Sequence, residues 1–263
     1  LIPFIIGSLT VFTFQPYNLT FLNFLVLPIF FYLAVYINKK SKSTFRKKPH
    51  KTNLFIFGTL FGFGFYLSGI SWITNSLTFD ENFKVLIPFT IILVPLFLSL
   101  FMGFTVLIVG PLLNYNISSI FIFSAALGFS DFLRAKLFSG FPWNLWAYSL
   151  SWITELLQTL NLLGLFAFNL IVITIFTLPI ILFHQLPIIK KVSILFSTVI
   201  LVVCLYIYGN YEINKNENYL NTLNKKINTK IVSPNFDLKY DLDINQIEKK
   251  LNKLIRYSEP NSN

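Results

Sequence analysis

Charged residues make up only 12% of this chain, about half the share usual in a soluble domain. That scarcity excludes a self-contained water-soluble globule. There is one cysteine, Cys204, so no internal disulfide can form and no cysteine-based metal site can be built. It lies in an apolar run and is read as a small packing hydrophobe. The two histidines, His50 and His184, have no partner at metal-ligand spacing and are read as interfacial loop residues. The chain also lacks a phosphate-binding glycine loop, a nucleophile elbow and a metal cluster. No cofactor and no metal are expected. It begins Leu-Ile-Pro-Phe without an initiator Met, and is read as clipped at the front. No secretory signal with a small-residue cleavage site is visible.

What the chain does have is grease. Of its 263 residues 54% are hydrophobic, and the mean hydropathy is +0.65. A helix needs about 20 apolar residues to cross the hydrocarbon core. Seven candidate spans are legible: 1–14, 21–37, 54–73, 85–109, 117–133, 160–183 and 192–208. The fold class expected is therefore mainly α, a polytopic membrane bundle of about seven spans. Pro88 and Pro95 are expected to kink the fourth span. Gly58, Gly62 and Gly64 repeat at a spacing that lets helix backbones approach closely.

The net charge of +10 is unevenly spread. Lys39, Lys40, Lys42, Arg46, Lys47, Lys48 and Lys51 crowd one loop, 38–51. Nucleic-acid binding is one reading of such a cluster. Apolar spans flank it closely on both sides, so the positive-inside bias of a cytoplasmic loop is preferred, and no nucleic-acid partner is expected. Alternation then puts 15–18, 75–82 and the stretch around residues 139–146 outside, and 184–191 inside with Lys190 and Lys191. The chain leaves its last span outside at Asn210.

From there to Asn263 the composition turns polar. Residues 227–232 read as a short strand, closed by Pro234-Asn235. Asp243 is a plausible N-cap for a helix with Ile244, Ile247, Leu251, Leu254 and Ile255 on one face. One strand cannot cover that face. Residues 1–209 are thus expected to be a transmembrane helical domain. Residues 210–263 are expected to be the incomplete start, first strand and first helix, of an α/β domain.

The chemically suggestive stretch is Leu-Phe-Ser-Gly-Phe-Pro-Trp-Asn-Leu-Trp-Ala-Tyr-Ser-Leu, 137–150. It follows Asp131, Arg134 and Lys136 at the outer end of the fifth span. Asp131 and Arg134 are three apart and can pair on one helix face. One reading is an interfacial ion pair beside an ordinary aromatic belt. The other is headgroup recognition, with Arg134 and Lys136 meeting phosphate while Trp143, Trp146 and Trp152 lie at headgroup level. Pro142 removes a backbone donor and breaks the helix. Non-helical backbone near a bilayer must be covered by protein or line a wet cavity. Arg134, Phe141, Pro142, Trp143 and Tyr148 are the candidate lipid-binding residues. Glu155 is read as a solvated interfacial carboxylate, and Trp72 as a belt residue.

These blocks occur in a familiar order. The Pro16-Tyr17-Asn18 turn, the glycine-rich span ending Gly69-Ile70-Ser71-Trp72, and the Arg134…Gly140-Phe141-Pro142-Trp143…Tyr148-Ser149 block resemble the membrane half of the bacterial apolipoprotein N-acyltransferase family. Ile-Val-Ser-Pro-Asn-Phe-Asp-Leu-Lys, 231–239, resembles the segment that opens that family's nitrilase-like domain, with Ser233 in place of its usual Gln. The resemblance implies a bacterial inner-membrane, multi-pass enzyme with residues 210–263 periplasmic. It implies acyl transfer from a phospholipid donor to the N-terminal diacylglyceryl-cysteine of an apolipoprotein acceptor, through a Cys thioester. The Glu–Lys–Cys triad of that chemistry finds no match: no Trp-Pro precedes Glu259, and Cys204 lies within a span. Catalytic residues are thus expected beyond the C-terminus, and this chain alone is expected to be an inactive fragment. The competing class is a non-enzymatic transporter or scaffold subunit.

Overall fold

The computed structural model describes residues 1–42, 50–137, 140–223, 229–236 and 242–258. The chain forms α1 (Ile2–Leu9), α2 (Asn23–Lys42), α3 (His50–Ile70), α4 (Ile87–Val109), α5 (Ile117–Lys136), α6 (Thr154–Leu157), α7 (Thr159–Leu163), α8 (Leu165–Thr177), α9 (Ile188–Thr222) and α10 (Ile244–Ser258). Short 3₁₀ turns extend several of them. Six of the resulting segments are long and apolar enough to cross a membrane: Thr20–Ser41, His50–Phe79, Glu81–Leu112, Ile117–Lys136, Leu165–Phe183 and Ile188–Thr222. The expected seventh, at the N-terminus, is a shorter apolar helix, Ile2–Thr13. Among the described residues, six segments thus meet the length of a span, against about seven expected. The expected strand is not formed: 229–232 have no regular structure, and 227 and 228 lie outside the described residues. There is no strand among the described residues.

Packing follows the small residues. A methyl group on Gly58 would stand 2.7 Å from the Met102 carbonyl oxygen, and one on Gly62 would stand 2.9 Å from the Met102 side chain. On the neighbouring face of α3, Gly64 lies against the Phe4 carbonyl oxygen of α1. Only Gly allows backbones this close, and inside a bilayer close van der Waals packing is what holds helices together. Aromatic rings fill the space beyond. Phe30 stacks on Phe61 with ring centroids 3.8 Å apart, and Phe123 meets Phe30 edge-on at 5.4 Å. The edge-on pair satisfies the ring quadrupoles, and the close stack adds dispersion contact.

The two ends of the bundle are built from different loops. At one end Asn38 donates to the Pro111 carbonyl (3.4 Å), Lys39 lies 4.3 Å from the Tyr115 ring centroid, and Tyr115 neighbours His184. At the other, Thr20 donates to the Ser149 carbonyl (2.6 Å), and Trp72 meets Trp143 edge-on at 5.6 Å. These are the loop groupings that charge alternation requires. Residues 43–49 of the basic loop lie outside the described residues.

The last long helix departs from its expected limits. At 35 residues, α9 is about 52 Å long, against about 30 Å of hydrocarbon. It runs unbroken through residue 210 to Thr222, so the composition change there falls inside a helix. Gly209 is its one buried residue, seated on the Glu155 carbonyl. Cys204 is exposed on this helix rather than packed. The sixth expected span is also interrupted. Gly164 takes a φ of 75° between α7 and α8, a conformation that suits glycine.

Candidate functional site

Residue 136 ends α5, and the chain then turns back across the bundle end. The turn needs a left-handed residue, which Gly140 supplies with a φ of 73°. Any Cβ there would meet the Ala135 carbonyl oxygen at 2.6 Å. Phe141 N then donates to the Arg134 carbonyl (3.0 Å). Asn144 takes a second left-handed conformation, φ 56°, which Asn tolerates better than most residues. Phe138 and Ser139, part of the expected turn, lie outside the described residues.

What fixes this turn is Arg134. Its side chain is only 1% exposed. One terminal nitrogen donates to the Phe141 carbonyl (2.5 Å) and the Trp143 carbonyl (2.7 Å), and the other to Asp131 Oδ1 (3.0 Å). The guanidinium also lies 5.2 Å from the centroid of the buried Tyr66 ring. A buried charge must be paired and hydrogen-bonded to be tolerated. Here the planar fork of Arg links a carboxylate to two loop carbonyls, which a point charge such as Lys would do less well.

The network continues through a residue that the sequence pattern did not single out. Asn169 Nδ2 donates to Asp131 Oδ2 (2.8 Å), and the Ala147 amide donates to Asn169 Oδ1 (2.9 Å). Asn169 is fully buried in α8. An amide inside Leu-Phe-Ala-Phe-Asn-Leu-Ile-Val was the available signal, because polar groups in spans are rarely idle. Farther along, Asn23 Nδ2 donates to Ser149 Oγ (3.0 Å), and Trp152 Nε1 to Thr20 Oγ1 (2.8 Å). Residues 140–153 are thus held to α2, α3, α5 and α8 by polar contacts and packing.

The candidate residues fall into two groups. Arg134 faces inward and is engaged with protein backbone. Phe141 and Tyr148 are half-buried, and Pro142 is exposed. Trp143 is 51% exposed and packs beside Trp72 and Phe141. Burial pushes the Tyr148 phenol above its ordinary range, so it stays protonated at neutral pH. Trp146 differs from the expected belt position: it is fully buried and stacks on Phe65 at 5.1 Å. A ring that size is drawn inward because α3 offers it a flat partner. Glu155 accepts from Tyr206 Oη of α9 (3.1 Å) rather than facing water alone. Lys136, also expected to meet phosphate, is exposed at the end of α5.

Next to this platform lies an apolar cleft of about 240 Å³ between α2, α8 and α9. Phe21, Phe24, Ile153, Phe168, Phe176 and Leu205 line it, and Thr20 marks its platform end. Leu150 and Ile153 of the platform form part of its wall, so cleft and platform adjoin. No group of three or more His, Cys, Asp or Glu able to hold a metal occurs among the described residues.

Comparison with known proteins places this geometry. Residues 6–178 match the family described as apolipoprotein N-acyltransferase N-terminal domain. The apolipoprotein N-acyltransferase of Agrobacterium fabrum is 34% identical over 119 residues, 45% of this chain and 22% of that protein. That of Rickettsia bellii is 30% identical over 158 residues, 60% of this chain and 31% of its own length. That of Allorhizobium ampelinum is 26% identical over 191 residues, 72% of this chain and 35% of its own length. The chain therefore spans no more than 35% of the length of these relatives.

Proposed function

The chain belongs to the apolipoprotein N-acyltransferase family through its N-terminal domain, and on that footing we propose that it forms the bilayer-embedded part of an acyltransferase. The reaction moves an acyl chain from a phospholipid donor to the α-amino group of an apolipoprotein's N-terminal diacylglyceryl-cysteine. The observation that carries this reading is the Arg134 clamp. A cation buried at 2% exposure holds two carbonyls of an aromatic loop, and so keeps Trp143 and Pro142 at the surface of a platform whose far end, Leu150 and Ile153, lines an apolar cleft.

In this reading Phe141, Pro142, Trp143 and Tyr148 form the rim over which the lipid passes. Arg134 positions that rim through the backbone. The cleft between α2, α8 and α9 receives the acyl chain. The polar end of α9 carries the following segment clear of the bilayer on the periplasmic side of the inner membrane, where α10 opens a nitrilase-like domain. Residues 237–241, part of that opening segment, lie outside the described residues. Within these 263 residues the single cysteine, Cys204, stands on the uncovered side of a spanning helix. These residues position lipid, and the Glu–Lys–Cys set belongs to the nitrilase-like domain.

The test is Trp143→Ala in an assembly that carries the complete nitrilase-like domain. Trp143 is half-exposed, so the melting temperature should not move. Acyl transfer should fall by about tenfold, equivalent to about 1.4 kcal/mol of lost transition-state stabilisation. Unchanged transfer across several phospholipid donors refutes the rim. A protease-accessible tag at Asn263 on the same side as Lys40 refutes the whole arrangement.

A further inference from the structure

At the bundle end opposite the Arg134 clamp lies a second cavity, of about 450 Å³. Tyr32 and Lys39 of α2, Asn114 and Tyr115 of the α4–α5 connection, and His184 and Gln185 before α9 line it. Unlike the acyl-sized cleft, it is walled largely by polar groups. Tyr32 stacks on Tyr115 at 5.4 Å, Lys39 Nζ stands 4.3 Å from the Tyr115 ring, and His184 lies 6.4 Å from it.

Two observations point to a ligand. The first is His184, which is 3% exposed and has no hydrogen-bond partner at either Nδ1 or Nε2. A buried imidazole with both nitrogens unmet is costly, and such groups are normally satisfied by protein, water or a ligand. Phe31 and Tyr115 flank its ring and offer it apolar faces. The second is charge. No Asp or Glu occurs in residues 1–79, 82–130 or 156–211, the segments that build this end. Lys39 therefore has no carboxylate facing it from any of them. Lys191 stands near His184 and donates to the Leu182 carbonyl (2.8 Å). Burial and the neighbouring Tyr32 push the Tyr115 phenol up to about 12, so it remains a donor. An ammonium, two side-chain amides, phenols and an imidazole converge here without one carboxylate.

We propose that this cavity is an anion site that binds a phosphate group, with Lys39 supplying the charge and His184 a buried hydrogen bond. Lys is an effective phosphate partner as a compact point charge. The cavity lies at the end of the bundle that carries the basic loop. Two sources share this chemistry, a phospholipid headgroup and free phosphate. The site is separate from the proposed rim and does not depend on the acyl-transfer reading.

The purified chain in neutral detergent is titrated with sodium phosphate, and separately with a short-chain phosphatidylglycerol. Ionic strength is held constant with sodium chloride, and thermal unfolding is read by tryptophan fluorescence. The expected result is a saturable rise in melting temperature. A rise with phosphatidylglycerol but not phosphate assigns a headgroup, and a rise with phosphate alone assigns the free ion. In Lys39→Gln and in His184→Phe the half-saturating concentration should rise by about tenfold, the equivalent of about 1.4 kcal/mol. Lys39 is exposed, so its variant keeps the fold even if His184→Phe does not. No saturable shift from either probe, or an unchanged half-saturation in Lys39→Gln, overturns the proposal.

Discussion

Replacing Arg134 by Met keeps the length and apolar stem of the side chain and removes its charge and donors. The Phe141 and Trp143 carbonyls then lose their shared donor, and Asp131 keeps only Asn169. Breaking a buried pair by removing one partner costs about 3–5 kcal/mol, because the other charge is left uncompensated. Adding three separate hydrogen bonds on top would count the same guanidinium twice. Arg134→Met should therefore destabilise the bundle by about 3–5 kcal/mol. Converting Asp131 to Asn in the same chain removes the stranded carboxylate and still lets residue 131 bond Asn169. What remains is the two unmet carbonyls, worth about 1–3 kcal/mol each. The double variant should thus be more stable than the sum of the single effects, with a coupling of about 2–3 kcal/mol. Equilibrium unfolding in mixed micelles measures all four corners of the cycle. Limited proteolysis across 140–153 reports whether the loop has come free. A coupling below about 0.5 kcal/mol means that the pair and the loop are held independently. So would an Arg134→Met protein as stable as the parent, and either result refutes the clamp.

Two further perturbations probe other parts of the structure. Gly209→Val pushes a side chain into the Glu155 carbonyl, backbone that cannot rotate away. Overpacking of this kind costs about 1–3 kcal/mol, and a lowered melting temperature with loss of α9 docking checks it. Burial, followed by the nearby Lys191, holds the His184 imidazole below its ordinary range. The unfolded chain therefore takes up a proton near pH 6.5 that the folded chain resists. Stability should be full above about pH 6.5 and fall as pH drops below it. His184→Phe should flatten that part of the curve, and an unchanged slope in this variant refutes the assignment.

The spans were legible because about 20 consecutive apolar residues leave a local signature that no tertiary contact can erase. Loop grouping was legible for a similar reason: Lys39 to Lys51 and Lys190-Lys191 mark one side by charge alone. The Asp131–Arg134 pair follows from helical spacing. The limits of α9 were not legible in the same way. A hydropathy run does not show where a helix ends once polar residues such as Asn210 and Glu212 keep it going outside the hydrocarbon. Cys204 and Trp146 stand apart from their expected positions for a different reason. Inside a bilayer the lipid-facing and protein-facing sides of a helix are equally apolar. Composition therefore cannot say that Trp146 stacks inward on Phe65 while Cys204 faces out.

By itself, then, the amino-acid order determined a multi-pass helical protein, the sorting of its loops to two ends, and the residues around which a lipid-handling site could be sought. The tertiary structure alone decided that Arg134 grips the backbone of its own loop, that Asn169 completes the grip from a helix 38 residues away, and that a cleft opens between α2, α8 and α9. Those outcomes depend on which helix faces meet. That is set by glycine contacts and ring packing summed over the whole bundle, and no single window of sequence contains that sum.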